Sequence, residues 1–510
     1  MRSKAALTSR NRPLSDARPF TDALPKREQL LGRGRRLVIA ANRLPVHRVA
    51  RGSEIRWESS AGGLVTALVP VVQSTAGVWV GWSGESGRAP RAFEHDGVQI
   101  KPLSLTADEV RNFYDGFSNR TLWPLYHDAI RTPEFHRPWW NSYVAINQRF
   151  ARALARHAGR RDVVWIQDYH LQLVPQMLRA LRPDVTIGVF MHIPFPPEEL
   201  FEWLPWRRQI LEGMLGADLL GFQTSLAAQN FSRACRHHDL AEGVDSRLEM
   251  GNREILVRPF PISIDFDWFQ SRAEHADTRK AADEIRQLVG PTRKILLAVD
   301  RLDYTKGIQR RLLVFEEMLK RKLISIDNCV LIQIAVPSRE AVDDYARIRA
   351  DVEETVGRIN GEHSQPGRVA VHYFRRNFLR EDLAAYYRVA DVMVVTPLRD
   401  GMNLVAKEFV ACRTETDGVL VLSEFAGAAR ELRQAVIVNP RDTDGLIASL
   451  LTALRMPKSS QRLRMAALRS VVRRHDVHAW AQSFLEAVPR PPSKLSAKRP
   501  TKRARSGSSR

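Results

Sequence analysis

Lys294–Gly307 reads KILLAVDRLDYTKG, and this stretch decides the fold. Six residues are apolar almost throughout, then the chain turns at once into a polar loop carrying Arg301 and Lys306. A short run with no polar alternation is a strand covered on both faces, the habit of parallel sheets in α/β proteins. The same grammar recurs on both sides of it. Upstream lie RLVIAA from Arg36, VWVGW from Val78, DVVWI from Asp162 and TIGVFM from Thr186. Downstream lie VLIQIAV from Val330, VAVHYF from Val369, DVMVVT from Asp391, VLVLS from Val419 and AVIVN from Ala435. Helix-like stretches separate them, such as Asp108–His127 and Leu171–Leu181, so the pattern is βα throughout.

The chain has 510 residues. Single cores stop growing near about 250–300 residues, so two domains are the expectation. The first set of strands ends near ILVRPFPISID, where Pro259 and Pro261 break the pattern. The second begins after a charged helical segment that leads to Pro291. The reading is two doubly wound α/β domains facing each other across a cleft, spanning 36–265 and 266–488. Basic extensions at 1–35 and 489–510 are read as disordered. Ligands of such sheets bind beyond the carboxyl ends of the strands.

The net charge of +21 resembles a nucleic-acid signature until it is divided. Residues 1–36 carry +7 and residues 490–510 carry +8, which leaves the body mildly basic. Solvated arms explain the tails better than nucleic-acid contact. Three cysteines, Cys235, Cys329 and Cys412, show no CxxC spacing. That argues against a disulfide framework or a zinc module and for a reducing, cytoplasmic location. Ser59–Gly84 is uncharged over 26 residues, but Pro70, Gln73, Ser74 and Thr75 interrupt it. A helix followed by the strand VWVGW fits better than a membrane span.

Each residue able to do chemistry sits where a strand has just ended. Arg301 and Lys306 are two cations on one loop, as a diphosphate requires, with Arg forking two oxygens and Lys acting as a point charge. Exposed cations at a helix start are the plainer alternative, although they oppose the helix dipole. DVMVVT runs into PLRDGMNLVAKE, Pro397–Glu408, where Asp400-Gly401 forms a turn and a helix begins at Asn403. Free amides there suit an anion, and Glu408, a turn further on, suits a sugar diol; an ordinary capped helix is the alternative. Ser60-Ala61-Gly62-Gly63-Leu64 lets a backbone approach a ligand, though a Gly-Gly loop alone is weak. WIQDYHL, Trp165–Leu171, places Asp168 and His170 at one strand end, and MHIPFP places His192 at another. A lone strand-end histidine is more often structural, but two on one sheet edge shift that balance. Arg43 and Arg339 close two further strands. No P-loop, HExxH, GxSxG or kinase motif is present, so metal binding has no motif behind it.

Taken together these segments resemble one family. ANRLP, SAGGL, GWSGE, NFYDGFSNRTLWP, WIQDYHL, HIPFP, RLDYTKG, VPSR, TPLRDGMNLVAKE and SEFAGAA occur in order over about residues 36–485. That ordered set resembles the trehalose-6-phosphate synthases, retaining glycosyltransferases with two Rossmann-like domains in the glycosyltransferase B fold. The resemblance implies transfer of glucose from UDP-glucose to glucose 6-phosphate, with retention, giving trehalose 6-phosphate and UDP. It implies that Gly62 and Gly63 approach the nucleotide-sugar, that Arg301 and Lys306 hold its diphosphate, and that Phe378 lies near the uracil. Asp400 and the segment Leu404, Val405, Ala406, Lys407 and Glu408 would hold glucose and ribose hydroxyls. Arg43, Tyr114, Trp123, Asp168 and Arg339 would surround glucose 6-phosphate, with His192 and Trp123 at the reacting carbons. It implies no metal or other cofactor, and a separate phosphatase downstream. Assembly as a homo-oligomer stays open.

The sequence departs from that pattern at Gln167, where many relatives have His, and at Ala41, where Ser is frequent. Two alternatives remain beside this reading. One is a sister activity, glucosylglycerol-phosphate synthesis or use of ADP- or GDP-glucose, since the donor loop is shared. The other is a non-catalytic regulatory or nucleic-acid-binding protein acting through its basic tails.

Overall fold

The computed structural model describes residues 35–51, 54–59, 63–339 and 342–489. The expected tails at 1–35 and 489–510 therefore fall almost wholly outside the described residues, as does Gly62. The first half contains β1 (Leu37–Arg43), the hairpin β2 (Val46–Arg51) and β3 (Glu54–Ser59), β4 (Val78–Trp82), β5 (Phe93–His95) and β6 (Val98–Leu103). It continues with β7 (Val163–Gln167), β8 (Thr186–Met191), β9 (Leu219–Phe222), β10 (Glu242–Val244), β11 (Arg247–Met250) and β12 (Arg253–Pro259). The second half contains β13 (Lys294–Arg301), β14 (Cys329–Val336), β15 (Val371–Phe374), β16 (Val392–Val395), β17 (Val419–Ser423) and β18 (Val436–Val438).

Two separate sheets result. The larger has the order β10-β11-β12-β9-β8-β7-β1-β4-β6-β5, parallel from β12 to β6 with antiparallel edges. The smaller is wholly parallel, β15-β14-β13-β16-β17-β18. Their central strands are buried at nearly every residue, for example β7 and β16 throughout, which accounts for runs without polar alternation. In the larger sheet the chain proceeds outward from β1 through β4 and β6, then returns to β7 on the other side of β1. In the smaller it moves from β13 to β14 and β15, then returns to β16. Each return makes a topological switch point, where helices on either side of the sheet leave a crevice.

Two features depart from the sequence reading. The stretch Asp108–His127 is one amphipathic pattern, but Val110–Leu122 is wound as a π-helix, closed by the Trp123 amide donating to Ser118. Such winding is rare and concentrates at functional sites. The last helix, Val477–Ala487, packs on the first sheet, not the second. Phe484 stacks on Trp165 at 4.3 Å between centroids, and Trp480 lies 5.0 Å from Phe190. Gly221 makes room for this, because a Cβ there would lie 2.7 Å from the Phe484 ring. The stretch suspected of spanning a membrane forms the helix Gly63–Ser74 followed by β4. Among the described residues no helix is long and apolar enough to cross a membrane. All three cysteines are buried and free.

Candidate active site

Beyond β13 and β16 the smaller sheet presents its switch point. Lys306, 7% exposed, extends its Nζ to 2.6 Å from Asp400 Oδ2. Burial alone would raise the Asp400 carboxyl, but the Lys306 ammonium outweighs it and holds the group below its usual range. Asn403, at φ +80°, caps the helix Leu404–Cys412 by accepting from the Ala406 amide at 3.1 Å, and donates to Asp400 at 3.2 Å. Four residues into that helix, Glu408 accepts from the Tyr387 hydroxyl at 2.8 Å, and burial raises its carboxyl. Asp300 is committed elsewhere: its Oδ2 accepts two bonds from buried Arg311, at 2.9 and 2.8 Å.

The larger sheet presents β1 and β7 at its own switch point. Asp168 follows β7 with φ +70° and accepts the His192 amide at 3.1 Å. Burial pushes its carboxyl up to about 6, against those backbone bonds and the charges of Arg339 and Arg301. His192 Nε2 lies 2.9 Å from Gln167 Oε1, and burial lowers the ring to about 3, so it is neutral near pH 7. Arg43 closes β1 with its guanidinium 4.6 Å from the Trp82 ring. Tyr114, from the π-helix, stacks on His170 at 6.0 Å.

Between the two switch points the domains meet. Arg339 holds φ +49°, a conformation that a non-glycine residue adopts only when its surroundings over-determine it. Its guanidinium lies 3.7 Å from the centroid of Trp123, which belongs to the opposite domain, and Arg301 lies 5.3 Å from the same ring. Arg339 also donates to Asp303 at 3.3 Å and to Tyr169 at 3.2 Å. Asp303 is fully buried; burial would raise it, yet Arg339, Arg301 and Lys306 prevail and hold it at about 2. A cleft lined by Pro194, Gln223, Asp400, Gly401 and Glu424 opens beside this junction. Gly401 is required there, because a Cβ would lie 2.2 Å from the His192 carbonyl oxygen across the interface.

The structure thus gathers Trp123, Asp168, His192, Arg301, Lys306, Arg339 and Asp400 around one junction, with Arg43 and Tyr114 at its first-domain edge. Phe378 sits apart in an aromatic group with Tyr386, 5.4 Å away, under the Arg376 guanidinium. Lys407 does not offer its charge to the cleft. Its Nζ donates to Ile262 O at 2.8 Å and to Glu431 at 2.7 Å, and it is 1% exposed. Gly63 begins the helix Gly63–Ser74, so the glycine pair leads into that helix from the hairpin. Sequence reasoning missed Tyr345 and Tyr169, whose hydroxyls orient Arg339, and Asp303, which accepts from it.

The sequence model of glycosyltransferase family 20 matches residues 35–490. The chain belongs to glycosyltransferase family 20. Among its relatives within family 20, the trehalose-6-phosphate synthase of Mycolicibacterium smegmatis is 52% identical over 462 residues, covering 88% of this chain and 92% of that one. The fold matches the α,α-trehalose-phosphate synthase (UDP-forming) of Burkholderia vietnamiensis with a TM-score of 0.82, at 36% identity, covering 89% and 98% of the two chains. It matches the corresponding enzyme of Burkholderia xenovorans, solved in complex with glucose-6-phosphate, with a TM-score of 0.81, at 33% identity over 89% and 99%. The architecture is that of the glycosyltransferase B fold, two Rossmann-like domains about a cleft.

Proposed function

We propose that this family 20 chain transfers glucose from UDP-glucose to glucose 6-phosphate, giving α,α-trehalose 6-phosphate and UDP with retained configuration. One observation carries the reading: Arg301 and Arg339, from neighbouring strands of one domain, bracket Trp123 of the other, with Lys306 beside them. Two anionic substrates that must react with each other call for cations gathered where one domain meets the other. The names of the relatives support the same activity.

In this reading Arg301 and Lys306 take the diphosphate, helped by the free amides at the start of Leu404–Cys412. Asp400 releases Lys306 to the phosphate and turns to a glucose hydroxyl. Val405, Ala406 and Glu408 line the donor, Glu408 accepting from the ribose diol. Lys407 serves through its backbone, since its ammonium is held by Glu431. Phe378 borders the base, and Gly62 and Gly63 let the backbone approach the sugar. Arg43, Tyr114, Trp123 and Arg339 hold the acceptor, its phosphate between cations, while Asp168 takes sugar hydroxyls as an ionised carboxylate. Neutral His192 hydrogen-bonds the transferred glucose.

The chemistry is electrostatic preorganisation. Cations and helix amides stabilise UDP as it departs. The acceptor hydroxyl attacks from the same face, and its proton passes to the departing phosphate, so no protein nucleophile and no metal is used. Release of the free disaccharide then requires a phosphatase, and we assign the whole sequence to the cytoplasm. We divide the chain near residue 265, with the last helix, Val477–Ala487, returning to the first domain.

A UDP-release assay with UDP-, ADP- and GDP-glucose against glucose 6-phosphate, glycerol 3-phosphate and glucose tests the proposal. The expected result is fastest turnover with UDP-glucose and glucose 6-phosphate, unchanged by a chelator. A preference for glycerol 3-phosphate would move the chain to the sister activity.

A further inference from the structure

Between β12 and the helix Phe266–Glu274 the chain crosses from the larger sheet to the second domain, and Phe260, Ile262 and Ile264 are buried along the way. Alternate carbonyls of this crossing are each held. Phe260 O accepts from the Trp480 indole at 3.2 Å and Ile264 O from the Val477 amide at 3.0 Å, both on the returning last helix. The middle one, Ile262 O, accepts from Lys407 Nζ at 2.8 Å, on the helix Leu404–Cys412. The Ile262 amide is held from the other side. It donates at 3.0 Å to Oε1 of buried Gln223, which follows β9, and Gln223 Nε2 lies 3.5 Å from the His192 carbonyl oxygen. One buried residue of the crossing is thus bonded both to the donor-side helix and to the first-domain rim that carries His192.

The ammonium that makes the first of these bonds is 1% exposed and is balanced by Glu431 Oε2 at 2.7 Å. Such an ion pair contributes little net stability, because desolvation offsets the attraction; fixing register is its best attested use. We propose that Lys407 is a positioning residue: its ammonium holds the donor-binding helix in register with the crossing at Ile262 and, through Gln223, with the His192 loop. The inference rests on the function proposed above. In this role Lys407 touches no substrate. The amides at the helix start and Glu408 meet the donor, and Lys407, one residue before Glu408, sets where both stand relative to His192.

Lys407→Met alone would leave Glu431 as an unpaired charge, so the test replaces the pair. Lys407→Met with Glu431→Gln removes both charges and the bond to Ile262 while nearly keeping side-chain volume, and replacing a buried ion pair in this way is often neutral in stability. Glu431→Gln alone leaves the lysine on Ile262 O. Steady-state kinetics, calorimetry with UDP and thermal unfolding compare the two variants with wild type, all kinetics well below Tm. The double variant is expected to lose kcat at least tenfold and to keep UDP affinity within threefold, since Arg301, Lys306 and the helix amides remain. Glu431→Gln is expected to keep kcat within threefold. Equal kcat in the two variants, whatever their Tm, would show that the bond to Ile262 does not serve the reaction. A loss of UDP affinity as large as the loss of kcat would put Lys407 in the donor site itself. Either result overturns the proposal. Should the double variant not fold, Gln223→Met cuts the same path on the first-domain side: kcat at least tenfold lower with UDP affinity kept is expected, and unchanged kcat overturns the proposal. A wild-type chain that turns over a different donor or acceptor would overturn the substrate reading alone, and the same variants would then be compared with that pair.

Discussion

Replacing Arg339 by Ala removes the one side chain that joins Trp123, Asp303, Tyr169 and Tyr345. Its cost to acceptor recognition follows from the geometry. Losing one partner of a desolvated charged contact costs about 2–5 kcal/mol. In the proposed acceptor site Arg43 still faces the phosphate from the other domain, so the lower end applies. About 2–3 kcal/mol corresponds to a loss of roughly 30- to 150-fold in kcat/KM for glucose 6-phosphate, at about 1.4 kcal/mol per decade. The preference for glucose 6-phosphate over glucose should shrink by the same factor, because the lost contact is to the phosphate. UDP affinity should hardly move. Folding is affected separately. Asp303 lies at about 2 against an ordinary 3.8, which at ~1.36 kcal/mol per unit contributes about 2 kcal/mol near pH 7. For a depressed carboxyl that stabilisation is present above the unfolded value and lost as pH falls through 3.8 towards 2. Without Arg339 the depression shrinks, and acid unfolding should begin at higher pH. Asp303 keeps its bonds from Thr305 and Tyr345, so the variant should fold. Steady-state kinetics with both sugars decide the matter: a folded Arg339→Ala enzyme that keeps its full preference for the phosphorylated sugar would refute the assignment.

Lys306→Ala should weaken use of UDP-glucose by about 2–4 kcal/mol, read as UDP affinity by calorimetry; unchanged UDP binding would remove Lys306 from the diphosphate site. Because burial holds Asp168 at about 6, acceptor binding should weaken as pH falls through that value, and Asp168→Asn should flatten the limb. The limb should be followed with unphosphorylated glucose as well, since a sugar phosphate loses its second proton near pH 6. Gly401→Ala places a Cβ against the His192 backbone carbonyl and forces the two loops apart, so kcat should fall at least tenfold together with a drop in Tm, measured by parallel kinetics and thermal scans. A chain trimmed to residues 35–489 should keep kcat/KM within tenfold in the UDP-release assay, since every proposed site residue lies inside it.

The strands were legible in the sequence because burial on both faces writes itself as an unbroken apolar run. KILLAV, DVMVVT and DVVWI are therefore β13, β16 and β7 within a residue or two. LLGF at β9 and the edge strands were harder to read, being short or half-exposed. Strand-end chemistry was legible for the same reason, since a cation just after a buried run has to lie at the rim of a sheet. What the sequence does not encode locally is which rims face each other. Lys306 and Asp400 stand 94 residues apart, and Arg339 and Tyr169 stand 170 apart. Their meeting depends on the strand order within each sheet and on the approach of one sheet to the other. The same holds for Lys407, which has the sequence signature of a site cation and a tertiary partner that takes it away. It holds for the last helix, whose Phe484 finds its place only because two strands of the other domain leave it a gap. Periodicity fixes which face of an element is buried; only the packed tertiary structure decides against what.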